Sequence, residues 1–226
     1  MTIDKYIHIV SQFLPESSRK EIQIYQVKSG LINQTFLVKD RMNDYILQKV
    51  NHHVFSNPQC IHDNYEIVRK SLVNSSYSRE LLFFLRDQNN LELVNQENEF
   101  WRMSKRIVGR TYEVCKSEEI AHNSAHTLAE FHSSLINVSI VDEPIPLFTD
   151  FQYRIEQFNN ALSVGPQSRM NNANDLIVFI ESNLKLIETY LKVEKSLPVR
   201  VIHGDPKVSN FLFDEKGVLI VRIREI

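Results

Sequence analysis

Ile202-His203-Gly204-Asp205-Pro206-Lys207-Val208-Ser209-Asn210, close to the end of the chain, carries an acid, a base and an amide at fixed spacing. Apolar residues flank it. Val199 to Ile202 reads as a short buried strand leading in, and Phe211-Leu212-Phe213 as one leading out. His203-Gly204-Asp205-Pro206 reads as a tight turn between them. The pattern His-x-Asp-x-Lys-x-x-Asn arises by chance roughly once in several hundred chains of this length. An ordinary turn with Asn210 as a cap is the competing reading, so the rest of the chain has to agree before the motif carries weight.

The order and spacing resemble the catalytic loop of protein kinases, His-Arg-Asp-Leu-Lys-x-x-Asn. That resemblance implies phosphoryl transfer, in which a loose transition state needs positioning more than a strong base. Asp205 would orient an acceptor hydroxyl and take its proton, and Lys207 would place positive charge beside the travelling phosphoryl group. His203 would hold the turn, and Asn210 would turn its amide oxygen to a magnesium ion bridging the phosphates.

Composition sets the frame. The chain has 226 residues, enough to bury a core as one large domain or two lobes of about 100 residues each. A formal net charge of -2 and a pI near 6.5 give no electrostatic footprint for nucleic acid or an anionic membrane. Neither is expected as a partner. Cys60 and Cys115 lie far apart without metal-ligand spacing, and no basic, apolar leader opens the sequence, so a reducing, cytoplasmic location is the default. No apolar run approaches the roughly 20 residues that a membrane span needs.

In chain order, Ile3, Tyr6, Ile7, Val10, Phe13 and Leu14 recur at helical spacing, which predicts a helix over 2–14 that ends at Pro15. The period then becomes two. Segments 22–28, 34–38 and 45–50 read as a meander of three strands. In the first turn, Gly30-Leu31-Ile32-Asn33-Gln34-Thr35-Phe36 could fold over nucleotide phosphates, with Gly30 allowing close approach and Asn33 and Thr35 donating hydrogen bonds. Lys49 stands on the third strand, where a kinase carries its phosphate-pairing lysine, and alternation places Tyr45, Leu47 and Lys49 on one face, so that Leu47 would cover the adenine. A register off by one would put Gln48 there instead. A helix over 58–72 offers Glu66 as the partner of that lysine. A short helix is expected near 80–86, with strands at 91–94 and 99–103 and Trp101 in the core.

Ser104 to Gly109 reads as the passage between lobes, dividing the chain into 1–103 and 104–226. A long helix follows from Glu118 with Ala121, Ala125, Leu128, Ala129, His132 and Leu135 as its packed stripe. His122, His126 and His132 invite a metal reading, but His122 and His126, four apart, fall on the flank of this stripe with no third ligand nearby, so no zinc site is expected. Helices over 150–162 and 174–194 come next, the second with Ile177, Ile180, Leu184, Ile187 and Leu191 as core. Strands first and helices second indicate an α+β protein in two lobes with the site between them.

Taken together, these residues resemble the aminoglycoside phosphotransferase family, small-molecule relatives of protein kinases that include choline, homoserine and sugar kinases. The resemblance rests on Ile202 through Asp214, on Gly30 through Val38, on Tyr45 through Asn51 with Val54-Phe55, and on Leu128-Ala129-Glu130-Phe131-His132. It implies a kinase-like bilobal fold, ATP with magnesium, and transfer of the γ-phosphoryl to a small-molecule hydroxyl on a sugar or amino alcohol. Tyr45 through Asn51 is most similar to the branch acting on N-acetylhexosamines, which makes a sugar the expected acceptor. The sequence departs from the family in one respect. Members carry a second metal-binding aspartate about 13 to 15 residues beyond the asparagine, where this chain reads Ile223-Arg224-Glu225, leaving Glu225 as the carboxylate in reach. The departure leads one to expect either a truncated or frame-altered product or a chain whose remainder was lost, and with it the alternative of a catalytically impaired fragment that serves as a nucleotide-binding or interaction module.

Overall fold

Short strands with apolar residues at every second position set the architecture of the first half of the chain, most clearly in the alternating burial of the second strand. In the computed structural model, which describes residues 3–16, 21–27, 32–139, 143–214 and 219–222, helix α1 (Ile3–Phe13) precedes strands β1 (Gln23–Val27), β2 (Gln34–Lys39) and β3 (Asp44–Val50). Helix α2 (Pro58–Val73) follows, then β4 (Val94–Gln96) and β5 (Glu99–Lys105). The five strands form one antiparallel sheet in the order β1-β2-β3-β5-β4. Segment 80–86 is not helical as expected. It runs extended beside β5, with Phe84 bridged to Ser104 and the Leu85 N–H donating to the Met103 carbonyl at 2.7 Å, because its backbone finds partners on the sheet that a two-turn helix would forgo.

The two faces of this sheet have different fates. On one, Ile9, Val10, Phe13 and Leu14 of α1 and the following turn pack against Phe36, Val38, Tyr45, Leu47, Trp101 and Met103. Trp101 is 1% exposed and lies in the core, as expected from the sequence. Each large side chain buried here stabilises by about 1.5–3 kcal/mol. On the other face, Val50 meets Ile61 of α2 and Leu93.

Helix α3 (Glu118–Ser134) starts at a serine cap, the Ser117 hydroxyl oxygen accepting from the Ile120 N–H at 3.2 Å. Its buried residues are Ile120, Thr127 and Phe131, whereas Ala121, Ala125 and Ala129 face outward. The three alanines of the expected stripe therefore turn away from the packed side, while its Leu128 and Leu135 lie on it. Larger side chains win that side because α2 and the last strands offer apolar surface there: Phe131 and Leu135 pack with Val68 and Leu72 of α2, and Ile120 with Phe211 and Phe213. The latter two residues belong to β6 (Phe211–Phe213), which pairs with β7 (Leu219–Arg222).

By its contacts the chain divides into one unit formed by Met1–Pro144 with Arg200–Ile226 and another formed by Ile145–Val199. The second unit contains α4 (Phe151–Val164), α5 (Gln167–Asn172) and α6 (Asn174–Glu194). Asp150 caps α4 by accepting from the Tyr153 N–H at 2.8 Å. The α6 stripe expected as core is only its more covered side: Ile177, Leu184, Ile187 and Leu191 are half-buried, Ile180 is exposed, and no α6 residue is fully buried. Three helices in so short a segment cannot enclose one another.

Candidate active site

The His203–Asn210 loop is anchored by packing at both ends. Upstream, Val201 alone of its segment is buried, in the cluster with Val68, Leu72, Phe131 and Leu135, while Val199 and Ile202 are 96% and 60% exposed. The strand expected over 199–202 does not form: among the described residues no strand pairs with it, and one apolar anchor, Val201, holds the chain on α2 and α3. Downstream, a 3-10 turn (Val208–Asn210) leads directly into β6, whose Phe211 and Phe213 pack under Ile120. A second tie comes from the segment after β5. The Arg110 N–H donates to the Phe213 carbonyl at 2.7 Å, and the Phe213 N–H donates back to the Arg110 carbonyl at 2.9 Å. Gly109 makes this approach feasible, since a Cβ there would lie 2.5 Å from Leu212 Cγ and 2.8 Å from the Phe213 oxygen.

Within the loop, Gly204 takes a left-handed φ of 86°, a conformation in which a side chain would be strained. The turn lets the Asp205 N–H donate to His203 Nδ1 at 3.1 Å, so the imidazole braces the loop through an unprotonated Nδ1. Lys207 Nζ lies 2.7 Å from Asp205 Oδ2. Asn210 is buried, and its Nδ2 donates to the Asp205 carbonyl at 2.8 Å and to Asp205 Oδ2 at 3.1 Å. The Lys207 hydrogen bond, seconded by Asn210, holds the Asp205 carboxyl below its ordinary value against a smaller opposing effect of burial. Asp205 is exposed, and the lowered value keeps its carboxyl ionised near neutral pH. With Nδ2 turned inward, Oδ1 is the Asn210 atom suited to a cation, which fits a magnesium site that draws few ligands from protein and the rest from phosphate and water. Among the described residues no cluster of three or more His, Cys, Asp and Glu side chains could hold a metal ion. Gly30 and Glu225 lie outside the described residues.

The sheet gives a different answer from the sequence for the third strand. Lys49 falls on the α1 face, where Leu47 is fully buried and not open to a ring. Lys49 Nζ pairs with Glu99 Oε1 at 2.7 Å, and Glu99 Oε2 lies 2.9 Å from Lys5 Nζ on α1. Burial opposes ionisation of Glu99, but the two lysines outweigh it and its carboxyl stays below the usual range. Glu66 does not meet Lys49. Its oxygens accept from Arg69 Nε and Nη2 at 2.6 and 2.7 Å, with Lys70 at 3.6 Å, and the Arg69 hydrogen bond foremost lowers its pKa. The pairing fails because α2 covers the opposite face of the sheet from the one Lys49 occupies, and a one-residue step along a strand reverses the side.

On that opposite face the register aligns Thr35 with Gln48 and Gln48 with Arg102. Arg102 Nε donates to Gln48 Oε1 at 3.1 Å, and Gln48 Nε2 lies 3.5 Å from Thr35 Oγ1. Close by, buried Asn33 accepts the Asn51 N–H at 3.0 Å through its Oδ1, while Asn51 Nδ2 donates to the Ile32 carbonyl at 3.2 Å. The end of β3 is thereby tied to the start of β2. Thr35 and Gln48 thus share one polar row on this face, Asn33 stands with Asn51 at the start of β2, and Lys49 and Glu66 pair elsewhere.

Residues 23–221 match the phosphotransferase enzyme family. The chain belongs to that family. Among solved structures it is similar to a microcompartment-associated aminopropanol kinase, at 13% identity and a TM-score of 0.65, over 98% of this chain and 68% of that one. It is also similar to a spectinomycin phosphotransferase in complex with ADP and spectinomycin, at 15% identity and a TM-score of 0.55, over 90% of this chain and 63% of that one. An aminoglycoside phosphotransferase in ternary complex with AMP-PNP and hygromycin B matches at 14% identity and a TM-score of 0.54, over 99% of this chain and 70% of that one. The chain therefore spans about two thirds of the length of these structures. The mixed α+β fold is that of the family's kinases.

For a family member, two residues stand out that the sequence did not point to. Arg102 hides in a strand as one more alternating position, and only the β3–β5 register reveals its contact with Gln48. Gly109 reads as linker, yet its missing side chain admits β6. The signal that could have found the first was parity: Gln48 shares its face with Ile46 and Val50, so the α1-facing set of Tyr45, Leu47 and Lys49 excluded it.

Proposed function

We propose that this chain is an ATP-dependent phosphotransferase that moves the γ-phosphoryl group to a hydroxyl of a small molecule, a sugar such as an N-acetylhexosamine. The observation that carries this reading is the Asp205 carboxylate, exposed on the Gly204 turn and held by Lys207 at 2.7 Å and Asn210 at 3.1 Å. Asp205 orients the acceptor hydroxyl and takes its proton as the new O–P bond forms and the bond from the γ-phosphorus to the bridging oxygen breaks, releasing ADP. Lys207 stabilises the charge that spreads over the transferring group. His203 keeps the turn in shape, and Asn210 offers Oδ1 to magnesium, which when bound would neutralise charge between the phosphates.

Asn33, Thr35 and Gln48 take the nucleotide phosphates, with Gln48 in the place first expected of Lys49. An amide there supplies a hydrogen-bond donor without a charge of its own. A hydroxyl acceptor is in keeping with the company of spectinomycin, hygromycin B and aminopropanol kinases and phosphotransferases. Sugar preference rests on the β3 segment Tyr45 through Asn51. A reducing, cytoplasmic setting suits the two unpaired cysteines, Cys60 and Cys115.

The test is ATP turnover against a panel of N-acetylhexosamines, other sugars and amino alcohols, with and without magnesium. Turnover on a sugar that falls by at least about a thousandfold in Asp205→Ala, with nucleotide affinity kept, is the expected result. Turnover on amino alcohols alone would overturn the sugar assignment. Nucleotide binding without turnover on any acceptor would select the impaired, nucleotide-binding reading.

A further inference from the structure

A primary amide has two ends of opposite hydrogen-bonding character, and which end faces a ligand decides whether it attracts or repels an anion. Gln48 is 8% exposed in the middle of the register row Thr35–Gln48–Arg102. Its neighbour on β5, Arg102, is 4% exposed, and the guanidinium lies over the Phe84 ring at 4.7 Å. That stacking fixes the plane of a group that can only donate. Arg102 Nε therefore takes the oxygen of Gln48, at 3.1 Å, and leaves Nε2 directed along the row to Thr35, 3.5 Å away. Without the arginine the amide could turn over and present Oε1 to the phosphates, which would repel them.

We infer that Arg102 is a positioning residue for nucleotide recognition: it locks the Gln48 side chain with its NH2 facing the polyphosphate. The buried guanidinium adds a positive field behind a neutral donor, dividing between two strands the work that one lysine would do. The inference rests on the nucleotide reading proposed above. It goes beyond that reading in naming a residue that need not touch the nucleotide and a mechanism, control of amide orientation, by which it acts.

Calorimetric titrations of ATP and of adenosine into the parent chain, Arg102→Met, Arg102→Lys, Gln48→Ala and the Arg102→Met/Gln48→Ala double variant test it. Arg102→Met should weaken ATP by about tenfold and leave adenosine unchanged, and in the Gln48→Ala background it should cost little more. Arg102→Lys, which keeps a donor and a charge, should recover part of the loss. Equal losses for ATP and adenosine, or additive losses in the double variant, would overturn the inference while leaving the nucleotide reading intact. A parent chain that binds neither probe overturns both. Should Arg102→Met not fold, the parent decides alone: the Gln48 side-chain NH2 resonances must shift on ATP addition and stay put on adenosine addition, and any other pattern rules the inference out.

Discussion

Replacing Gly109 by alanine adds a single methyl group, yet it should disturb the whole His203–Asn210 loop. Gly109 does not have the left-handed φ that Gly204 shows, so the residue is there for space and not for backbone freedom. Its added Cβ would sit 2.5 Å from Leu212 Cγ and 2.8 Å from the Phe213 carbonyl oxygen, against a comfortable carbon contact of about 3.5–4.0 Å. Backbone cannot swing aside as a side-chain tip can, so β6 must shift by something on the order of 1 Å. Overpacking of this kind costs about 1–3 kcal/mol. The shift also stretches the paired hydrogen bonds of 2.7 and 2.9 Å between Arg110 and Phe213, each worth about 0.5–1.5 kcal/mol. A total near 2–4 kcal/mol corresponds to roughly 5–15 °C in melting temperature for a chain of this size. Because Asn210 immediately precedes Phe211, turnover should fall together with stability. Thermal melting followed by circular dichroism reads the first effect, and amide hydrogen exchange at Arg110 and Phe213 reads its location. A Gly109→Ala protein that melts with the parent and protects both amides equally would refute the close-approach reasoning.

Two further outcomes follow from the ion pairs. Lys207→Met should raise the Asp205 carboxyl toward the ordinary carboxylate range, since the Lys207 hydrogen bond is the largest influence holding it down. The depressed folded-state value contributes stability that is present above the unfolded value and lost as pH falls through the folded one, so the variant is less stable than the parent above ordinary carboxylate pH, and the difference closes as pH falls through the parent's folded value. A carbon-detected titration of the Asp205 carboxyl measures the shift, and an unmoved midpoint would count against the Lys207 contact. Lys49→Met should leave ATP affinity within about twofold of the parent, because Lys49 pairs with Glu99 on the α1 face, while lowering stability by about 1–2 kcal/mol. A tenfold loss of ATP affinity would return Lys49 to the phosphates.

The contrast between Lys49 and Gln48 locates the boundary of sequence reasoning. Period two along Tyr45 to Val50 divides the strand correctly into two sets of side chains, but periodicity carries no label for what covers each set. The label came from α1, whose Ile9 and Val10 lie on Leu47 and thereby turned Lys49 away from the other face. The same limit applies to α3, where the expected stripe of Ala121, Ala125, Leu128, Ala129, His132 and Leu135 packs through Leu128 and Leu135, while α2 and β6 cover Ile120 and Phe131 and leave the three alanines outside. Helix α6, by contrast, spans Asn174–Glu194 as the steps of three and four predicted, because a long local period needs no partner to be read.

The sequence by itself determined the succession of strands and helices apart from 80–86 and 199–202, the chemistry-bearing residues from His203 to Asn210, and with them the family. These are properties of order and spacing along the chain. Only the tertiary structure decided the pairings: Lys49 with Glu99, Glu66 with Arg69, Gln48 with Arg102, and the seat of the loop between Val201 and Phe211. Those depend on which of two faces a neighbouring element covers. That choice is made by burial of apolar surface contributed from distant parts of the chain, and no local pattern encodes it.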